Sequence, residues 1–134
     1  MIVTVDTNLL VSGVFFGGIP GKILDAARQG VFTLAMSPSL LTELGAVFSR
    51  PRFGLSVDAV QLLMADLEAS AMIVYPEAGR RRVLPDPEDD AAVDCAIESR
   101  SVYIVSGDSH GTDLGTVEDI TVVTPRQFVE LHGL

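Results

Sequence analysis

The stretch VTVDTNLLVSG, residues 3–13, decides how the rest of the chain is read. Ile2, Val3, Thr4 and Val5 carry the signal of a buried strand, because β-branched side chains suit a pleated surface. The chain then meets Asp6, Thr7 and Asn8 before apolar residues resume at Leu9, Leu10 and Val11. A carboxylate at the end of a buried strand has two explanations. Asp and Asn favour turns and helix caps; alternatively, Asp6 belongs to a metal or catalytic site. The residue alone leaves both open.

The strand signal recurs outward along the chain, in VFTLAM (31–36), AMIVY (71–75), VYIVSGD (102–108) and ITVVTP (120–125). Between these runs the apolar spacing turns helical. GGIPGKILDAARQG (17–30) carries Ile23, Leu24 and Ala27 and ends at Gly30. SPSLLTELGAVFSR (37–50) opens on a capping Ser37 with Pro38 behind it. Helices are also expected from Ser56 to Ser70, from Glu88 to Arg100, and after Thr124, which caps with Pro125 at the first position. Short non-alternating strands separated by helices imply a parallel sheet covered on both faces. The expected α/β fold is a single domain over residues 1–134. It has three αβα layers around a central, mostly parallel, five-stranded sheet.

Composition sets limits on function. With 134 residues, 48% hydrophobic and 20% charged, the chain can bury a core. It has no apolar run long enough to span a bilayer, and no basic region precedes its first apolar stretch, as a signal peptide would require. The single Cys95 cannot pair within the chain, which fits the cytoplasm. It stands among Ala92, Ala96 and Ile97 as a small core residue. A net charge of −9, from 18 acidic and 9 basic residues, argues against indiscriminate nucleic-acid binding. It leaves room for a nuclease whose carboxylates hold a cation.

Four acids fall where such a site would form. In open parallel sheets ligands bind beyond the carboxyl ends of the strands, where strand order reverses. Asp6 ends the first strand, and Asp108 ends the fourth after Gly107, which is expected to let the backbone turn sharply. In DPEDDAAVDCAIESR (86–100), Ala92, Val93, Ala96 and Ile97 form the apolar face, and Asp89 projects into its middle. Asp90, Asp94 and Glu98, spaced four apart, read as the solvated face. A carboxylate on the core side needs a partner or a cation, although a favourable charge at a helix N-terminus is an equally good account of Asp89. Glu43 borders the apolar stripe of its helix, where it is also able to reach water. Converging carboxylates stay ionised only with a cation, and all-oxygen ligation suits Mg2+ or Mn2+. His110 and His132 offer no zinc spacing, and His132 is expected at the surface.

With these segments in order, the sequence resembles a PIN domain and is most similar to the toxin subgroup related to VapC-type toxins. The segments that carry the likeness are VTVDTNLLVSG, SPSLLTEL, DPEDDAAVDCA, YIVSGD and VVTPRQFVEL. The resemblance implies a metal-dependent endoribonuclease, the toxin of a toxin–antitoxin pair, with its catalytic acids at Asp6, Glu43, Asp89 and Asp108. Asp6, Asp89 and Asp108 would hold Mg2+ or Mn2+. Asn8 completes the DTN motif and would orient Asp6 or touch substrate, and Ser106 stands where the family has Thr or Ser before the last acid. Many members place another Asp soon after that acid; here DSHGTDLG delays it to Asp113. The implied partners are RNA, a basic antitoxin protein and a second copy of the chain. GRRR (79–82) is either an RNA grip or a solvated loop.

Two other readings compete. A haloacid-dehalogenase-like phosphatase also has a strand-ending Asp, and SGDSHGTD resembles its two-acid metal motif. That family requires an acid where Asn8 stands and a lysine between its motifs, whereas the only lysine is Lys22. The third reading is a PIN scaffold that binds RNA or protein without cutting.

Overall fold

A computed structural model describes residues 1–77, 87–107, 116–117 and 119–134, without the side chains of 87–90 and 116–117. The elements are β1 (Ile2–Val5), α1 (Thr7–Phe15), α2 (Gly18–Arg28), β2 (Thr33–Met36), α3 (Pro38–Phe48), a 3-10 turn (Pro51–Phe53) and α4 (Val57–Ala69). They continue with β3 (Ala71–Ile73), α5 (Pro87–Ser99), β4 (Tyr103–Val105), β5 (Thr116–Val117), β6 (Ile120–Val123) and α6 (Pro125–His132).

The sheet order is β3-β2-β1-β4-β6-β5. The five strands foreseen are parallel, with β1 between β2 and β4. The two-residue β5 adds an antiparallel edge to β6 that the sequence reading did not include. Val3, Val5, Leu34, Ala35, Met36 and Val105 are almost wholly buried, which explains the near-continuous apolar strands. Neighbouring strand residues point to opposite faces. Tyr103 packs edge-on against Phe128 of α6, while Ile104 clusters with Val93 and Ala96 of α5. The sheet therefore lies between two helical layers, giving the expected αβα architecture.

Most helix starts follow the capping chemistry read from the sequence. The side chains of Ser37, Ser56 and Thr124 accept from Leu40, Ala59 and Gln127 N–H groups, and Pro38 and Pro125 open their helices. Helix α1 was not foreseen. Its sequence TNLLVSGVF is apolar around most of its circumference, so no polar face marks it out. Gly13 lets α1 approach α2 closely, since a Cβ there would lie 2.9 Å from the Pro20 carbonyl oxygen. No single helix among the described residues is long and apolar enough to cross a membrane.

A short polar seam ties α5 to β1. The Thr4 and Ser101 hydroxyls are 2.9 Å apart, Ser99 and Ser101 are 2.7 Å apart, and all three residues are buried. Thr4 also donates to Cys95 Sγ at 3.9 Å. Cys95 is the core residue expected, and burial pushes its thiol up to about 11, partly offset by the Thr4 hydrogen bond. It stays a protonated, unreactive thiol at neutral pH. His132 departs from expectation: it is half-buried, its ring against Tyr103 and Phe128, because α6 folds back onto the sheet.

Candidate active site

The strand order reverses at β1 and β4. β2 and β3 extend the sheet to one side and β6 to the other, so a crevice opens beyond the carboxyl ends of this central pair. Asp6 leaves β1 at that edge. Its backbone N–H donates to the Val105 carbonyl at 2.9 Å, which holds it beside the last residue of β4. Ser106 follows directly, is buried, and donates its backbone N–H to Val123 at 2.9 Å. Strands one and four are thus the neighbours that a site built on Asp6 and Asp108 requires.

Asp6 is also the N-cap of α1, its side chain accepting from the Asn8 N–H at 3.2 Å. The turn explanation and the site explanation therefore do not exclude each other. A half-buried carboxylate capping this helix is stabilised by the helix dipole. Asn8 lies on the exposed side of α1.

Thr7, the residue between them, was not singled out from the sequence. It is 1% exposed, and its hydroxyl donates to Glu43 Oε1 at 2.8 Å. The half-buried Glu43 is therefore tied to the turn that carries Asp6, across 36 residues, instead of simply extending into water. Leu40, Leu44 and Val47 anchor the buried stripe of α3 and leave Glu43 at its border. The signal for Thr7 lies in DTN itself: once Asp6 is read as a cap, Thr7 becomes the first helical residue and turns back toward the core.

Thr7→Val keeps the shape of Thr7 and removes the donor. It is expected to destabilise the fold by about 1–3 kcal/mol in urea unfolding, as for a hydrogen bond to a charged group. Thr7→Ser, which retains the donor, should lose clearly less; equal losses would show that the bond contributes nothing.

The expected acid on α5 is less fully described. Only Arg100–Val102 separate α5 from β4, so the helix runs back along the sheet and begins at the edge where β1 and β4 end. Asp89 is in its first turn; the side chains of Asp89 and Asp90 lie outside the described residues. Val93, one turn further, is buried, as the apolar-face register requires. Asp94 differs from its expected place on a solvated face: it is half-buried, while Glu98 is exposed. The cause is that α5 packs against β1, β2, β4 and α3, so more of its circumference is covered.

Asp108, Asp113, His110 and Arg80–Arg82 lie outside the described residues. Gly107 is not in the left-handed region, and a Cβ there would meet Leu9 Cδ2 at an ordinary 3.6 Å; the turn it was expected to open continues outside the described residues. Among the described residues no three His, Cys, Asp or Glu side chains form a metal-binding group. The structure thus brings Asp6, Glu43 and Ser106 to one end of the sheet, with the start of α5 on the same edge.

Residues 2–110 match the family model described as PIN domain. The chain belongs to the PIN domain family. Members of that family are in general nucleases, which sets aside the phosphatase alternative. Over 143 aligned positions this PIN domain is 27% identical to the uncharacterized protein MJ1680 of Methanocaldococcus jannaschii, covering 96% of this chain and 89% of the relative. The fold resembles VapBC2 of Rickettsia felis, solved bound to a DNA fragment from its promoter, with a TM-score of 0.63 and 15% identity. The match covers 92% of this PIN domain and 98% of that chain.

Proposed function

We propose that the protein is a metal-dependent endoribonuclease that hydrolyses RNA phosphodiester bonds and serves as the toxin of a toxin–antitoxin pair. The observation that carries this reading is the Thr7 bridge, which fastens the Glu43 carboxylate to the Asp6 turn at the reversal of strand order. The fold likeness to a toxin–antitoxin protein supports it.

The chemistry of the donors fits Mg2+ or Mn2+. The described groups of this edge are carboxylates and hydroxyls, with no thiolate or imidazole expected among them. In this reading Asp6, Asp89 and Asp108 would hold the cation, and Glu43 would ligate it through water or orient the attacking water. Asn8, Ser106 and Asp113 support the ligands or touch the RNA. When bound, the cation lowers the pKa of water and stabilises charge on the phosphate. The protein's own part is to fix its carboxylates in advance: the α1 cap holds Asp6, the Thr7 hydroxyl holds Glu43, and the β4–β6 ladder holds Ser106. The products are a 3′-hydroxyl and a 5′-phosphate.

The proposed partners are a basic antitoxin protein, drawn to an acidic cleft on a protein of net charge −9, and a second copy of this chain. The proposed compartment is the cytoplasm, where RNA and a reduced Cys95 occur together. The purified protein should cleave single-stranded RNA with Mn2+ or Mg2+ and stop when EDTA is added. RNA that binds but stays intact at every metal concentration would leave the non-cutting scaffold as the correct reading.

A further inference from the structure

We propose that a groove beside the Asp6 turn, between α1 and the 3-10 turn, is a stacking subsite for an unpaired base of the RNA; this rests on the ribonuclease reading above. The groove has a volume of about 650 Å³, within the range of pockets that take a small organic group. Asn8, Ser12 and Phe15 line it at the spacing of a single helix face. From Asn8 to Phe15 the helix rises about 10 Å. A strand crossing Asp6 therefore reaches the far end of the groove within a short run of nucleotides.

The lining combines the three elements that hold single-stranded nucleic acid. Its aromatic part is a stack: the Phe15 and Phe53 rings are 4.5 Å apart and inclined by only 3°. Phe16, beside them at 6.4 Å from Phe15, is 78% exposed, so its ring face is open to a base. Its cationic part is Arg52, whose Cζ lies 4.8 Å from the Phe53 ring centroid. Arg52 forms no salt bridge among the described residues. An exposed guanidinium that pairs with no acid among the described residues, on a chain of net charge −9, complements a phosphate backbone in a place where the rest of the surface repels it. Its polar part is the Asn8 amide and the Ser12 hydroxyl, placed on the side nearest Asp6 and able to pair with a base edge. A partner built on apolar side chains alone would leave the guanidinium and the amide unpaired on binding.

The test uses the full chain, with binding read separately from cleavage. Fluorescence anisotropy of a short 5′-labelled single-stranded oligoribonucleotide, in EDTA at low salt, reads affinity; the same oligonucleotide with Mn2+ reads KM and kcat. Phe16→Ala and Arg52→Ala change exposed side chains. Each should weaken binding and raise KM about tenfold, with kcat altered less than about twofold. Tyr75→Ala, an equally exposed aromatic at 72% outside the groove, should change none of these. The parent should also bind an oligonucleotide with an abasic site less tightly, and Phe16→Ala should erase that preference.

Unchanged affinity and KM in both groove variants, with the parent cleaving normally, would overturn the subsite and leave the ribonuclease reading standing. A parent that binds the oligonucleotide through Phe16 but never cuts would support the subsite and overturn the ribonuclease reading. A parent that neither binds nor cuts overturns both. If Phe16→Ala instead converts a dimer to a monomer in sedimentation, with RNA affinity intact, the groove belongs to a second copy and the proposal fails.

Discussion

Asp6→Asn should abolish measurable RNA cleavage, lowering the Mn2+-supported rate by about three orders of magnitude or more, while the protein stays folded. The two roles of Asp6 make the result interpretable. As N-cap of α1 it accepts from the Asn8 N–H, and Asn caps as well as Asp does. As a proposed ligand it supplies a negative charge, which Asn does not. Losing several kcal/mol of electrostatic stabilisation at a cation site corresponds to thousands in rate. A melting temperature within a few degrees of the parent, measured in EDTA, would show that the cap survives. Full activity in Asp6→Asn would return Asp6 to a plain capping residue and remove the central ligand of the proposed site.

The second large effect separates two adjacent residues of α5. Asp89→Asn should cost about a hundredfold or more in rate, the loss expected when a ligand carboxylate is neutralised. Asp90→Asn should stay within about twofold. The difference is expected from helix register: Asp89 precedes the buried Val93 by four residues, whereas Asp90 precedes Asp94. Single-turnover cleavage by both variants decides it. If the two effects were reversed, Asp90 would be the carboxylate that enters the site.

The legible parts of this fold were those set by local chemistry. Ser37 and Thr124 each announce a helix through a side chain that caps it, as the sequence implies; Ser56 is legible as the start of a helix, and the structure makes it the cap. The central strands announce themselves because burial on both faces demands unbroken apolar runs. Helix α1 was missed because it packs against both α2 and α3 and so lacks the polar stripe that betrays a helix. Glu43 was selected from the sequence on its border position, but the bond that fixes it comes from Thr7, 36 residues away; no periodicity encodes such a pairing. The same limit applies to Asp94, placed on the wet side by spacing and half-covered by the layers around α5.

The central pairing of β1 with β4 also governs when the protein becomes complete during its synthesis. The seam beside this pairing joins Thr4 of β1 to Ser101, in the connection that leads into β4, 97 residues away. At about 5–20 residues per second, a ribosome needs roughly 5–20 s to make the chain between them. Throughout that interval Asp6 has no β4 to hold its backbone, and the edge that gathers the acids does not exist. A nascent chain therefore emerges beside the ribosome's own RNA with the proposed site unbuilt, and acquires that edge only once the later strand has been released to pair.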